Sequence, residues 1–234
     1  MQEFEYDVST KDKCWYKNIC DKSRCGDNFC IRHYKMSCLT HMATLEGKEC
    51  YPIPLRLDSD GTDRDAYNQL KSIQQDISTF VNNGNNLLIY STICGNGKTI
   101  WARKLLLSWF DSIWATTDFE CRGLFISLPR LMTALKNNIS KPDEYFQYID
   151  ENILNADLIV WDELNYKDMS GFEHDYLLNV LDRRISTGKA NIFTGNFSLD
   201  IIERKLGSRL CSRIVGSSIK VELKGKDKRN WGTM

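Results

Sequence analysis

The sequence carries no excess charge of either sign. Lysine plus arginine and aspartate plus glutamate number 31 each over 234 residues, so the formal net charge is zero. Bulk charge therefore gives no reason to expect a chain wrapped on nucleic acid or on an anionic membrane. Long apolar runs are missing as well: none approaches the roughly 18–20 residues that a membrane span needs. The amino terminus, MQEFEYDVSTKDK, is polar and acidic and does not read as a secretory signal. There is no internal repeat. Hydrophobic residues at 42% and charged residues at 26% are ordinary for a soluble globular protein and exclude wholesale disorder or a collagen-like chain. The length leaves room for one domain of ordinary size and a small second one.

Cysteine is plentiful: there are nine, six of them in the first fifty residues. Without a secretory signal a disulfide framework is not expected, which leaves metal binding or plain burial. Cys14, Cys20, Cys25 and Cys30 fall at near-even intervals, C-x5-C-x4-C-x4-C, separated by turn formers such as Asp21, Ser23, Gly26 and Asp27. A segment this short cannot bury a useful core alone, and a tetrahedral zinc held by four thiolates would stabilise it. These four are the preferred Zn2+ ligands, with His33 as a substitute. Cys38 and Cys50 lie outside the even spacing and read as free thiols. Cys94, Cys121 and Cys211 read as structural.

Residues 1–50 thus form a small cysteine-rich unit whose end, IRHYKMSCLTHMATL, has the make-up of a short helix. Two prolines, Pro52 and Pro54, and an Asp/Ser/Gly cluster mark 51–62 as a linker. Over 63–234 helices and strands alternate. One helix is predicted over 63–82 from the spacing of Leu70, Ile73, Ile77, Phe80 and Val81. Short strands are predicted at LLIYS (87–91), GLFIS (123–127), DLIVW (157–161) and NIFTG (191–195). The fully apolar ones suit a parallel sheet covered on both faces. Trp101, Trp109 and Trp114 read as core. The alternation implies an α/β three-layer sandwich.

The first strand runs straight into Gly95-Asn96-Gly97-Lys98-Thr99 and then a helix. That context makes GNGKT the core of a phosphate-binding loop for ATP. Glycines let backbone N–H groups converge on phosphate oxygens, and the helix amino terminus adds its positive dipole end. Lys98 supplies charge for the outer phosphates, and the Thr99 hydroxyl is a Mg2+ ligand. Thr92 stands where the motif has its first glycine. At the end of LIVWDE, Asp162 completes the magnesium shell and Glu163 orients or deprotonates the attacking water. Asn196, at the next strand end, can reach the terminal phosphate or that water. From Glu203 to Arg229 there are nine Lys/Arg against three Asp/Glu. In LGSRLCSRI, Arg209 and Arg213 are four apart on a predicted helix. Arg213, with Arg209 as competitor, suits an arginine finger acting on the next subunit, and Arg229 a nucleotide sensor in its own.

This order of parts resembles an AAA+ ATPase. More narrowly, YLLNVLDRRISTGKANIFTGNFS followed by LGSRLCSRI and GKDKR resembles the DnaC/DnaI-type replicative helicase loaders, including phage homologues. The resemblance covers about residues 63–234. It implies the AAA+ P-loop fold with a parallel central sheet, slow ATP hydrolysis, and self-association through ATP at subunit interfaces. It also implies a replicative hexameric DNA helicase and single-stranded DNA as partners, a cytoplasmic setting in a bacterial host cell, and an amino-terminal zinc unit that contacts the helicase. Gly195 stands where that family often has serine. The nearest competitor is a transposition helper ATPase of the IstB type, which shares the core but binds duplex DNA and a transposase. A non-catalytic module that uses nucleotide only to fold is the competitor from another class.

Overall fold

Strands form where the sequence is apolar without interruption. The computed structural model describes residue 14 and residues 30–46, 61–164 and 169–228. Its strands are β1 Asn86–Ser91, β2 Gly123–Ser127, β3 Leu158–Asp162, β4 Ala190–Asn196 and β5 Ser218–Glu222. They lie in the order β2-β3-β4-β1-β5, and every pairing is parallel. Parallel neighbours need crossovers, which are here α4 Lys98–Ile113, α5 Leu128–Ser140, α6 Glu144–Asn152, α7 Gly171–Ser186 and α8 Leu199–Cys211. Ahead of β1 come α1 Ile31–Met42, α2 Arg64–Gln75 and α3 Ile77–Asn82.

Alternation along the strands divides the core in two. Leu87, Ile89, Phe125, Leu158, Val160 and Ile192 face α1, α2, α3 and α4, among Leu39, Leu70, Phe80, Trp101, Leu105 and Phe110. Leu88, Leu124, Ile126, Ile159, Trp161 and Phe193 face the other way, onto α5, α6, α7 and α8. Nearly all of these side chains are fully buried, each contributing about 1.5–3 kcal/mol. This is the three-layer α/β sandwich expected from the sequence. Trp101 and Trp109 are buried in its first core, and Trp114 packs against it.

Three elements depart from expectation. The helix predicted over 63–82 is two, broken at Asp76 (φ −118°, ψ 44°). The break turns α3 so that Ile77, Phe80 and Val81 are all buried, whereas α2 buries only Leu70. LGSRLCSRI is not one helix: Gly207 takes φ 73°, ψ 158° inside α8, and Arg213 lies in a π-helical turn, Ser212–Gly216. Finally, α1 is part of the α/β body. Met36, Leu39, Ala43 and Leu45 join the first core. Phe125 N donates to Ala43 O at 2.9 Å, and Thr44 Oγ1 donates to Phe125 O at 2.7 Å. Apolar residues of α1 and the turn after it thus cover the β2 edge of the sheet, which the cysteine pattern that delimited residues 1–50 does not reveal.

Candidate active site

The phosphate loop, the acidic pair and the Asn196 segment meet because β1, β4 and β3 are adjacent and parallel. Their carboxyl ends form one rim, where ligands of open α/β sheets bind. Ser91 pairs with Asn196, and Trp161 with Phe193. Between β1 and α4 the chain can turn as sharply as it does because Gly95 and Gly97 take φ of 73° and 107°. The loop is braced from inside. Ser91 Oγ accepts from Ile93 N at 2.9 Å and from Asn96 Nδ2 at 2.8 Å. Lys98 Nζ donates to Ile93 O at 2.7 Å and to Asn96 Oδ1 at 3.0 Å. Asn96 is therefore a buried brace, offering the nucleotide its backbone and not its side chain. Thr92 and Cys94 are exposed.

Asp162 is the junction of the site. Thr99 Oγ1 donates to its Oδ1 at 2.9 Å, and Thr194 Oγ1 donates to the same oxygen. Glu163 N donates to Thr194 Oγ1 at 3.2 Å. Burial pushes the Asp162 carboxyl above its ordinary pKa. The hydroxyls of Thr194 and Thr99 and the charges of Lys98 and Arg103 work against that. Glu163 is also raised, by burial and then by the Asp162 charge. It is exposed and takes φ 64°, a left-handed conformation costly for a residue with a Cβ and common at functional sites. The carboxylate and hydroxyl at 2.9 Å give a hard-oxygen pair suited to Mg2+. A glycine-turned loop at a helix amino terminus suits a polyphosphate.

Ser91, Thr194 and Arg103 were not singled out in the sequence. Thr194 lies two residues before Asn196, so strand alternation puts both on one face. Ser91 is the polar end of an apolar strand, and Arg103 has no distinguishing signal. Gly195 has a packing cause: a Cβ there would come within 1.9 Å of Phe197 Cε1. Phe197 stacks on Tyr90 at 6.5 Å and 6°.

Other expected residues lie away from this cluster. Arg213 Nε donates to Asp182 Oδ1 of α7. Arg209 is exposed beyond the Gly207 break. Arg229, Cys20 and Cys25 lie outside the described residues. Cys14 packs against the first core, Cys30 caps α1, and His33 is buried on α1. Among the described residues no group of three or more His, Cys, Asp or Glu could hold a metal.

With this geometry, residues 31–231 match the IstB-like ATP-binding proteins. The chain belongs to that family. No curated protein sequence matches it. Solved folds similar to this member of the family include the DnaC helicase loader (18% identity, TM-score 0.59, 72% of this chain and 93% of that one). A putative primosome component from Streptococcus pyogenes serotype M3 matches at 18% identity and TM-score 0.59, over 82% of this chain and 98% of the other. DnaI matches at 19% and 0.54, over 73% and 94%. These likenesses show the AAA+ fold shared with the DnaC and DnaI structures. No helix among the described residues is long and apolar enough to cross a membrane.

Proposed function

We propose that the chain is an ATP-hydrolysing helicase loader: it binds a replicative hexameric helicase and places it on single-stranded DNA, with ATP as the switch. The observation that carries the ATPase reading is Asp162 Oδ1, shared by Thr99 and Thr194 at the mouth of the phosphate loop. The loop amides from Gly95 to Thr99, with Lys98, bind the phosphates of ATP. Thr99 and Asp162 would hold Mg2+, whose charge would offset that developing on the phosphates. Asn196 orients a water, and Glu163 takes its proton. The water oxygen bonds to the terminal phosphorus as the bond to the bridging oxygen breaks, leaving ADP and phosphate. Arg213 of a neighbouring subunit stabilises the charge, and Arg229 senses the nucleotide in its own subunit.

The loader reading is supported by a fold alike over 93% of DnaC. Residues 1–50 contain the helicase-gripping unit, with one Zn2+ on Cys14, Cys20, Cys25 and Cys30. Zinc well below one equivalent in reduced, purified protein would remove that element. The family's IstB-like character favours a second reading, a transposition helper on duplex DNA. Capture with a hexameric helicase or with a transposase, each with and without ATP, separates the two. The loader is expected to retain the helicase with ATP, and Lys98→Ala to lose both ATP and loading. Glu163→Gln is expected to keep ATP and abolish single-turnover hydrolysis. Unchanged hydrolysis in Glu163→Gln would overturn the assigned chemistry.

A further inference from the structure

The segment after β5 lies against the phosphate loop and is fastened at both ends. Leu223 N donates to Tyr90 O at 2.9 Å, and Asn96 Nδ2 donates to Leu223 O at 3.1 Å. Lys224 N and Gly225 N donate to Asp63 Oδ1 at 2.7 and 3.0 Å. Asp63 is 4% exposed, so this carboxylate is a buried anchor at the first residue after the predicted linker. Lys228 Nζ lies 3.9 Å from Asp63 Oδ2. Lys228 N donates to Gly95 O at 3.0 Å. Between these anchors stands Asp227. A Cβ on Gly95 would meet Asp227 Oδ1 at 2.0 Å and Oδ2 at 2.6 Å, so the carboxylate rests directly on the loop's glycine.

A loop whose amides and lysine attract phosphate therefore carries a carboxylate against one of its glycines. We propose that residues 223–228 are a strap that sets nucleotide affinity: Asp63 holds it down, and Asp227 keeps a negative charge on the phosphate loop that ATP displaces on binding. This rests on the ATP reading of the site. Because the coupling is reciprocal, ATP loosens the strap by as much as the strap weakens ATP. The contact thereby links nucleotide state to the carboxyl-terminal segment. The glycine at 95 is required twice, for its φ of 73° and for the room the carboxylate occupies.

The test is equilibrium binding of ATP with Mg2+ to the full chain, for wild type, Asp227→Asn, Asp227→Glu and Asp63→Asn, at low and high salt. Asp227 is exposed, so its variants are expected to keep the wild-type melting temperature. Asp227→Asn is expected to bind ATP roughly three- to fivefold more tightly at low salt, with the gain shrinking as salt rises. Asp227→Glu is expected to behave as wild type, and Asp63→Asn to shift affinity in the same direction as Asp227→Asn. In wild type, deuterium uptake over 223–228 is expected to rise when ATP is added. An Asp227→Asn chain that binds ATP no better than wild type, or less well, overturns the strap and leaves the ATP site standing. A wild-type chain that binds no ATP overturns the site reading itself.

Discussion

Thr194 ties the acidic pair together, because its hydroxyl donates to Asp162 and accepts from the backbone of Glu163. It thereby steadies both the Asp162 oxygen proposed to meet magnesium and the left-handed backbone that carries Glu163. Thr194→Val keeps the shape and removes the hydroxyl. It is expected to lower kcat for ATP hydrolysis about tenfold or more, because small misplacement of a catalytic group is costly, while KM for ATP changes little. Thr194→Ser is expected to restore the rate. A valine variant hydrolysing at the wild-type rate would remove Thr194 from the site. The residue types of this site were legible in sequence: GNGKT after an apolar strand, and a carboxylate pair closing another. Thr194 was not, because its importance comes from β3 and β4 being neighbours, and strand order is set by long-range pairing that no local pattern encodes.

Among the elements, α7 shows how charge can disguise burial. Arg184 is fully buried. Its guanidinium donates to Ile153 O at 2.6 Å, Ala156 O at 2.9 Å and Ala190 O at 2.8 Å, and its Nε to Asn191 Oδ1 at 2.8 Å. One side chain thereby satisfies carbonyls at the end of α6 and the start of β4, clamping the amino-terminal rim of the sheet opposite the candidate site. Arg184→Met leaves those acceptors buried without donors. It is expected to cost about 3–5 kcal/mol, as breaking a buried charged network does, read from the urea midpoint at unchanged m-value. A loss under about 1 kcal/mol would mean that water replaces the guanidinium. In sequence, a helix over 171–187 is predicted with Leu177, Leu178, Leu181 and Ile185 as its inward face. The buried face is Leu177, Val180, Leu181 and Arg184. Helical phase against the sheet buries Val180 and Arg184 where the pattern has Leu178 and Ile185. The same limit explains α8, where LGSRLCSRI has helical spacing but Gly207 breaks it.

For the whole molecule, the role proposed for Arg213 requires that one subunit complete the site of another. The α/β body extends back to α1, whose Met36 and Leu39 lie in the first core; fold class was legible from alternation, but this packing was hidden because apolar contacts across sequence-distant elements decide it. Arg213, the proposed finger, is held by Asp182 of its own subunit. Both groups are about half exposed, so the pair is worth less than about 1 kcal/mol, and a neighbouring terminal phosphate with its larger charge can displace it. Hydrolysis per subunit is therefore expected to rise with protein concentration, and Asp182→Asn to shift that rise to lower concentration. Mixing gives the sharper result. Lys98→Ala lacks a working phosphate loop but keeps Arg213, and Arg213→Ala has the reverse defect. Each alone is expected to be inactive. In an equal mixture about a quarter of head-to-tail interfaces pair an intact loop with an intact arginine, so roughly that fraction of wild-type activity should return. A mixture as inactive as its components would show that Arg213 acts within its own subunit, an Arg213→Ala chain active alone would show that it does not act at all, and the same experiment with Arg209→Ala in place of Arg213→Ala decides between the two arginines.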